Sequence, residues 1–482
     1  MEQKRGQWGS NMAFLFAAIG SAVGLGNIWG FPYKMGINGG FAFLVIYVLL
    51  AIFVGVVVML GELAIGRRTG RGAVGAYKLI NEKNSWIGAL GIVSAFAILS
   101  FYSVLGGMVL RYMVGFFVSL FGVDGFFGHG GDYFTSLLYT PSTMIIYYAL
   151  FMLGTLLIVM GGIKGGIEKF TTIAMPALAI ILVLVIGYVA IQPGAIDGYK
   201  FMFAPNFEPL RHDFFGVLKT AAGQMFFSLS LGMGCMITYG SYLSKEENLQ
   251  KNAIIITLAD TIIAVMAGMA VMPACAAFGV DFGRGPGLIF VSLQTVFLDG
   301  MGGFIGNLVG FLFYFLVFIA AITSSISLLE VCCAYLIDKR IDAGKPHNRK
   351  AVAALFAVLI FIVGLPVTSD ALGSGGAFIP APFEILNHFG ASFGAGGSKV
   401  PMAIDCWLDL YDCLAEGILM PLGALIMSLL IGWKLGTRYI AEECEAQGGK
   451  FRLYQFFEIC FKFIVPIGLI IILIAQIQDF FG

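Results

Sequence analysis

The most constraining feature of the sequence is an apolar segment of membrane-spanning length that is interrupted by helix-breaking residues. Between residues 11 and 34 it contains Gly20-Ser-Ala-Val-Gly-Leu-Gly-Asn27-Ile-Trp-Gly-Phe-Pro32. Each glycine costs about 1 kcal/mol in a helix interior and a proline about 3 kcal/mol. Backbone groups freed by a break cannot face lipid, so they must face protein or a water-filled cavity. Carbonyl oxygens and the Asn27 amide are suitable ligands for a hard cation. The segment therefore predicts the ion and substrate site of a membrane transporter.

The composition of the whole chain also indicates a membrane protein. Of its 482 residues, 59% are hydrophobic and 12% are charged, whereas soluble proteins carry roughly 25% charged residues. The net charge is zero, so no nucleic-acid partner is expected. The eight cysteines form no CxxC pair. Most lie in apolar segments, where a thiol is usually a small core residue, although Cys406 and Cys413 could come near each other.

Eleven apolar runs are long enough to cross a bilayer as helices. We place them at 11–34, 40–66, 86–122, 143–161, 168–191, 214–240, 251–279, 303–337, 351–368, 407–433 and 453–479. Alternate loops carry roughly twenty Lys and Arg residues against four in the other set. The positive-inside rule then places the N-terminus in the cytoplasm and the C-terminus outside a cell (inner) membrane. The loop 369–406 would lie outside and is not assigned.

A second interrupted span lies five spans after the first. Span 214–240 contains Gly223-Gln224-Met-Phe-Phe227-Ser228-Leu-Ser230-Leu-Gly232-Met233-Gly234. Paired interruptions in corresponding positions of two halves indicate an inverted-repeat transporter. We therefore expect an all-α membrane protein in which residues 1–482 form one transporter domain. Its halves would be about 10–191 and 213–433, with broken helices 1 and 6, and the eleventh helix at about 453–479 would be additional.

Several motifs together resemble the neurotransmitter:sodium symporter family. The helix 1 signature is Gly20-x-Ala22-Val23-Gly24-Leu25-Gly26-Asn27-x-Trp29-x-Phe31-Pro32-Tyr33, and the other motifs are Asn38-Gly39-Gly40, Glu62-x-x-x-Gly66-Arg67, Phe226-Phe227-Ser228-Leu229-Ser230, Thr238-Tyr239-x-Ser241-Tyr242 and Thr323-Ser324-Ser325. The resemblance implies a sodium-coupled symporter that works by alternating access. It implies no enzymatic activity and no organic cofactor. The chain has no Walker motif for ATP and no HExxH motif.

The resemblance also implies two sodium ions. The first would be held by Ala22, Asn27, Ser228 and Asp260. The second would be held by Gly20, Val23, Ala320, Thr323 and Ser324. Asp260 stands where the family usually has asparagine, and a carboxylate within the membrane costs about 3 kcal/mol or more, so it is a functional candidate by default. Many animal relatives need chloride beside the residues that match Tyr47, Gln224 and Ser228. Our hypothesis is that Asp260 supplies this negative charge and makes transport chloride-independent.

Gly24 favours an amino acid as the substrate. Monoamine carriers of the family have aspartate at this position, whereas glycine leaves room for the substrate's own carboxylate. Tyr102 would donate its hydroxyl group to that carboxylate. The substrate site implied by the resemblance contains Ser21, Ala22, Gly24, Gly26, Ile98, Tyr102, Phe227, Ser228, Ser230, Met233, Ser324 and Leu328. None is charged, so a charged side chain would be buried unpaired. We expect a hydrophobic or aromatic L-amino acid. The alternatives are a carrier of small aliphatic amino acids or osmolytes, and an amino-acid sensor that does not transport.

Two gates follow from the resemblance. The inner gate would pair Arg5 with Asp338, supported by Trp8 and Tyr242. At the outer gate Gly30 replaces the family's arginine, and Lys34 could reach Asp412 instead or extend its ammonium group to the membrane surface. Glu62 is expected to accept hydrogen bonds from the freed amides of the second break. The sequence does not define an oligomeric state.

Overall fold

The structure is a computed structural model that describes residues 6–123, 128, 130–280, 287–373, 406–446 and 450–481, with only the backbone for 479–481. Within these ranges the chain forms helices and turns and no β-strand. Arg5 of the expected inner gate and most of the loop 369–406 lie outside the described residues.

The helices follow one another with short connections. They are α1 Asn11–Ala22, α2 Gly26–Ile37, α3 Phe41–Thr69, α4 Ala73–Ile80, α5 Glu82–Ser119, α6 Gly130–Leu138, α7 Pro141–Met160, α8 Ile163–Ala190, α9 Ala195–Phe203, α10 Glu208–His212, α11 Phe214–Ser228, α12 Cys235–Gly240, α13 Leu249–Ala277, α14 Leu288–Met301, α15 Gly303–Asp342, α16 Arg349–Ser369, α17 Trp407–Gly436, α18 Arg438–Glu445 and α19 Tyr454–Gln478.

Nine helices of the described chain are long and apolar enough to cross a membrane, and the bent pair α1–α2 makes a tenth crossing. The pair is bent by 51° at its break. Helices α11 and α12 are each too short to cross alone. They lie in the single apolar run at 214–240 and are separated by an unwound segment, Leu229–Gly234. With this pair as one crossing, the expected all-α fold of about eleven spans is confirmed.

The short helices α4, α6, α9, α10, α14 and α18 were not expected from the sequence. They lie in the connections between spans. Most of them contain too few apolar residues to identify a helix, whereas α14 is apolar but too short to meet the criterion for a span. The connection after α16 is fastened at both ends by Asp370, which is fully buried. Its carboxylate accepts hydrogen bonds from the backbone amides of Leu372 at 3.1 Å and Trp407 at 2.6 Å.

Helices α3 and α12 pack so closely that only glycine fits between their backbones. A Cβ atom on Gly66 would lie 2.0 Å from the carbonyl oxygen of Ile237. A Cβ atom on Gly240 would lie 2.7 Å from the carbonyl oxygen of Leu63. Because neither backbone can shift independently at such distances, α3 and α12 form one unit, which we call the α3–α12 unit.

All eight cysteines are free. Seven of them are buried, including Cys406 and Cys413, which form no disulfide. Cys444 on α18 is the partly exposed one. The buried thiols therefore behave as small core residues, as the apolar segments around them predict.

Candidate transport site

The first break is held open by side chains that satisfy its freed amides. Helix α1 ends at Ala22, and Val23 adopts an extended conformation. The amide of Gly24 donates to the Asn27 side-chain oxygen at 2.9 Å. The amide of Leu25 donates to the Tyr102 hydroxyl at 3.0 Å. Because these groups bond to side chains instead of to helix carbonyls, neighbouring backbone oxygens remain available to a ligand.

The second break has a different local cause. Ser230, Gly232 and Gly234 all have positive φ values, of 53°, 78° and 77°. Glycine adopts such angles readily, whereas Ser230 does so at a cost in backbone strain. The amide of Gly232 donates to a carboxylate oxygen of Glu62 at 2.7 Å. Glu62 is buried, and it accepts a hydrogen bond from the second break as the sequence predicted.

The two breaks face each other across a cavity of about 310 Å³. Its lining consists of Ser21, Ala22, Gly24, Gly26, Ile98, Tyr102, Phe227, Ser228, Ser230, Met233, Ser324 and Leu328. The structure thus brings together around one cavity all twelve residues of the expected substrate site. The cavity has no charged side chain in its lining.

The cavity keeps its shape because two glycines leave space for neighbouring side chains. A Cβ atom on Gly24 would lie 2.6 Å from the Ser324 hydroxyl and 2.7 Å from the Tyr102 hydroxyl. A Cβ atom on Gly26 would lie 2.7 Å from the Phe227 ring. Larger residues at these positions would displace the polar groups or the ring from the cavity wall.

Asp260 lies at the centre of the expected first sodium site. Its carboxylate accepts hydrogen bonds from the Asn27 amide at 2.7 Å, from the Ser228 hydroxyl at 2.9 Å and 3.0 Å, and from the Tyr47 hydroxyl at 3.3 Å. The carboxylate is completely buried. Such a group requires a compensating positive charge or a dense set of donors. The structure places Asp260 between the Asn27 and Ser228 side chains and the Tyr47 hydroxyl.

The expected second sodium site brings α1 against α15. The Ser324 hydroxyl lies 3.4 Å from the Gly20 carbonyl oxygen and 3.2 Å from that of Val23. The Thr323 hydroxyl lies 3.1 Å from the Ala320 carbonyl oxygen. Gly20 of α1 and Val23 therefore lie beside Ser324, whereas Thr323 and Ala320 contact each other within α15. Carbonyl and hydroxyl oxygens of this kind are ligands that suit a hard cation.

Gln224 connects the first break to the position of the missing outer-gate arginine. Its side-chain amide donates to the Gly26 carbonyl at 2.7 Å. Its side-chain oxygen has no hydrogen-bond partner among the described residues, and a Cβ atom on Gly30 would lie 3.0 Å from it. A longer side chain at position 30 would therefore meet this oxygen.

The membrane face that carries Trp8, α4 and α18 is called the N-terminal face below. Here the Trp8 ring nitrogen donates to the Tyr239 carbonyl at 3.0 Å, and the ring packs edge-on against Tyr242. Asp338 accepts from the Gly72 amide at 2.8 Å. The Tyr242 hydroxyl donates to Glu330 at 2.7 Å.

Glu330 in turn pairs with Arg349 at the start of α16. The sequence reasoning missed this ion pair. A carboxylate in the apolar span α15 was a signal that could have identified Glu330.

On the opposite face, Lys34 and Asp412 line a common cavity of about 540 Å³ without forming an ion pair within 4 Å. Glu416 lies one turn further along α17 than Asp412 and lines the same cavity. A neighbouring cavity of about 850 Å³ extends from Lys34 and Glu416 to Tyr102 and Phe227. The sequence reasoning did not identify Glu416, although a second acidic residue in an apolar span is again the usual signal.

Apolar spans, two interrupted helices and a cavity between their breaks define a membrane transporter. The model of the sodium:neurotransmitter symporter family matches residues 5–122 and 139–404. The chain belongs to this family, and it is a sodium-dependent transporter and not an enzyme.

Three relatives illustrate the similarity. An uncharacterized sodium-dependent transporter of Bacillus subtilis, YhdH, is 36% identical over 490 residues, which cover 99% of this chain and 98% of that protein. The solved structure of MhsT in complex with L-phenylalanine has a TM-score of 0.81 and 33% identity, and the match covers 98% of this chain and 100% of that chain. The human sodium- and chloride-dependent transporter XTRP3 is 31% identical over 296 residues, 56% of this chain and 49% of its own.

Proposed function

We propose that the protein is a sodium-coupled symporter that imports a hydrophobic or aromatic L-amino acid by alternating access. The observation that carries this proposal is the uncharged lining of the cavity between the two helix breaks. A charged side chain would find no partner in its lining and would be expensive to bury. The complex of the similar protein MhsT with L-phenylalanine supports the same substrate class.

The amino acid would lie with its carboxylate toward the first break. At that position Gly24 has no side chain, so the Ser324 and Tyr102 hydroxyls reach the break, and the Tyr102 hydroxyl can donate to the carboxylate. The carboxylate would complete the coordination of a first sodium ion at Ala22, Asn27, Ser228 and Asp260. A second ion would lie among Gly20, Val23, Ala320, Thr323 and Ser324. The substrate side chain would then fill the part of the cavity lined by Ile98, Phe227, Met233 and Leu328.

Two sodium ions are enough to drive accumulation. One charge that moves through 100 mV releases about 2.3 kcal/mol, and a tenfold concentration gradient adds about 1.4 kcal/mol. Two ions therefore supply roughly 7 kcal/mol per cycle. This free energy exceeds what a thousandfold accumulation of a zwitterion requires, about 4 kcal/mol.

Transport would be independent of chloride. The Asp260 carboxylate provides a fixed negative charge beside the Asn27 and Ser228 side chains, in contact with Tyr47. Three donors already converge on this carboxylate, so a second anion at the same position would meet a like charge without a free donor to stabilise it.

The proposal also covers the residues that close each face and the orientation of the protein in the membrane. Trp8 and Tyr242 would close the N-terminal face together with an Arg5–Asp338 pair. Lys34 and Asp412 would close the opposite face. The distribution of basic loops would place the N-terminal face in the cytoplasm of a cell (inner) membrane.

The test is uptake into proteoliposomes that contain the purified full-length protein. We expect labelled L-phenylalanine to accumulate with an inward sodium gradient and not when choline replaces sodium. Competition by the twenty amino acids should follow the apolar surface of the side chain, and acidic and basic amino acids should compete weakly. Replacement of chloride by gluconate should leave uptake unchanged.

Other outcomes would identify the alternatives. Stronger competition by glycine, alanine or betaine than by phenylalanine would indicate a carrier of small aliphatic amino acids or osmolytes. Sodium-dependent binding without any uptake would indicate a sensor. Binding that does not depend on sodium would contradict the proposal as a whole.

A further inference from the structure

Arg67 lies at the end of α3 on the N-terminal face and is buried although it carries a charge. Its side chain is 1% exposed. Its Nε atom donates to a carboxylate oxygen of Glu443 at 2.7 Å, and one terminal nitrogen donates to the Glu443 carbonyl at 2.6 Å. The other terminal nitrogen donates to the Glu247 carbonyl. The guanidinium thus binds two separate segments of the chain at once, which its planar arrangement of donors allows.

Glu443 is the point at which these segments meet. It belongs to α18, and its side chain is 6% exposed. The same carboxylate oxygen that binds Arg67 also accepts from the Lys245 ammonium group at 2.8 Å. Lys245 and Glu247 lie in the segment that follows α12. We call the contact among Arg67, Lys245 and Glu443 the Glu443 clamp.

The clamp joins parts of the molecule that differ in their relation to the transport site. On one side is the α3–α12 unit, and α12 is the half of the second interrupted helix that leads from the cavity to the N-terminal face. On the other side is α18, which directly follows span α17. Helix α12 begins just after the cavity residues Ser230 and Met233. A movement of α12 that opened the cavity toward the N-terminal face would therefore pull on the clamp.

We propose that Glu443 is a positioning residue that holds the N-terminal face closed by fastening the α3–α12 unit to α18, and that this contact separates when the amino acid leaves through that face. The inference rests on the transport function proposed above, since only a carrier must open both faces in turn. Burial makes the contact strong enough to matter, because removing one partner leaves the other charge uncompensated away from water.

A neighbouring ion pair on the same helix provides a matched control. Arg68 binds Glu442 at 3.2 Å, with side-chain exposures of 32% and 56%. Arg68 follows Arg67 on α3, and Glu442 precedes Glu443 on α18, so this pair carries the same charges one position away from the clamp. Exposed pairs contribute little to stability, so Glu442→Gln changes the charge of α18 without releasing a buried contact.

The experiment compares Glu443→Gln with Glu442→Gln in the purified full-length protein. Hydrogen–deuterium exchange of residues 241–248 should become about fivefold faster in Glu443→Gln, and the sodium concentration that gives half-maximal L-phenylalanine binding should rise about tenfold. The sodium shift is expected because sodium and the amino acid bind the form whose N-terminal face is closed. Glu442→Gln should change neither quantity, and Glu443→Asp, which keeps the charge, should restore most of the sodium response.

Equal exchange rates and equal sodium requirements in Glu443→Gln and Glu442→Gln would overturn the proposal. So would a loss of binding sites in Glu443→Gln with an unchanged sodium requirement, since that is the signature of a purely structural role. If Glu443→Gln does not yield folded protein, Lys245→Met replaces it, because the Lys245 side chain is 58% exposed. A smaller sodium shift of the same sign is expected there, and no shift overturns the proposal.

Failure of the proposed function would look different. The unsubstituted protein would then bind no amino acid in a sodium-dependent manner. The comparison of exchange rates between Glu443→Gln and Glu442→Gln would still decide whether the clamp exists.

Discussion

At the scale of single residues, the transport site depends on positions that would be unfavourable anywhere else in a membrane protein. Asp260 places a carboxylate in an apolar span, and Gly24 weakens a helix in the middle of the bilayer. Each is explained by its contacts: three donors surround the carboxylate, and two hydroxyl groups occupy the space beside the glycine. An apparently unfavourable residue in such a chain therefore indicates a ligand site.

Asp260→Asn should make transport weaker and sensitive to chloride. The substitution keeps the shape of the side chain but removes the fixed negative charge, so sodium affinity should fall by roughly tenfold or more. Chloride should then partly restore uptake relative to gluconate. Asp197→Asn, in an exposed ion pair with Lys200, should behave like the unsubstituted protein. The role assigned to Asp260 would be contradicted if uptake by Asp260→Asn remained independent of chloride and kept the same sodium dependence.

Gly24→Ala should reduce amino-acid binding. The added methyl group would lie within 2.7 Å of both the Ser324 and Tyr102 hydroxyls, and overpacking of this kind costs about 1–3 kcal/mol. Equilibrium binding of labelled L-phenylalanine should weaken about tenfold or more. Gly187→Ala is the control, because a Cβ atom there meets nothing within 4 Å. Equal affinities in the two variants would show that the cavity can expand at Gly24.

At the scale of helices, the spans were predictable and their connections were not. The apolar run at 251–279 is identified by composition alone, and glycines mark both interrupted helices. By contrast, α18 is a short helix that contains Arg438 and Glu443 and has no apolar face long enough to recognise. Contacts between segments that are distant in the sequence could not be predicted either. The partner of Arg67, for example, lies 376 positions away.

Gly66→Ala tests whether α3 and α12 form one unit. The new Cβ atom would lie 2.0 Å from the Ile237 carbonyl oxygen, so the two helices must move apart. We expect a loss of stability of about 2 kcal/mol or more, measured as a lower midpoint of thermal unfolding in detergent. Gly468→Ala in α19 should raise or maintain the midpoint, since no atom lies within 4 Å of its Cβ position and alanine favours a helix. If the unfolding midpoint of Gly66→Ala were equal to or above that of Gly468→Ala, α3 and α12 would not form one unit.

At the scale of the whole molecule, charge and hydropathy indicate how the chain lies in the bilayer, whereas the cavity between the two breaks carries the proposal for its substrate. The apolar surfaces of the spans face outward; Ile173 and Ile180, for example, are more than 60% exposed. Polar and charged groups are instead concentrated at the two breaks and at the two faces. Composition alone therefore identifies the class of protein, while the proposed substrate rests on the geometry of twelve residues from distant parts of the chain.

The orientation of the molecule can be tested with terminal fusions. We expect green fluorescent protein fused before Met1 to fluoresce, because it folds in the cytoplasm. Alkaline phosphatase fused after Gly482 should be active, because it requires the oxidising exterior. The excess of basic residues in alternate loops predicts this orientation of the protein in the membrane. An active phosphatase at the N-terminus would reverse the assignment of both gates.

The position of Cys444 beside Glu443 has a practical consequence. Burial raises the pKa of this thiol from about 9 to about 12 despite the nearby Arg67, so at neutral pH it is almost entirely protonated and reacts slowly with alkylating reagents. When α18 separates, the pKa should fall toward its ordinary value and alkylation should accelerate roughly tenfold or more. Lys245→Met, which keeps the Glu443 charge beside the thiol, should show this acceleration, and Glu442→Gln should not. On the proposal made above, Cys444 would then report the separation of α18, and mass spectrometry can read it without an engineered label.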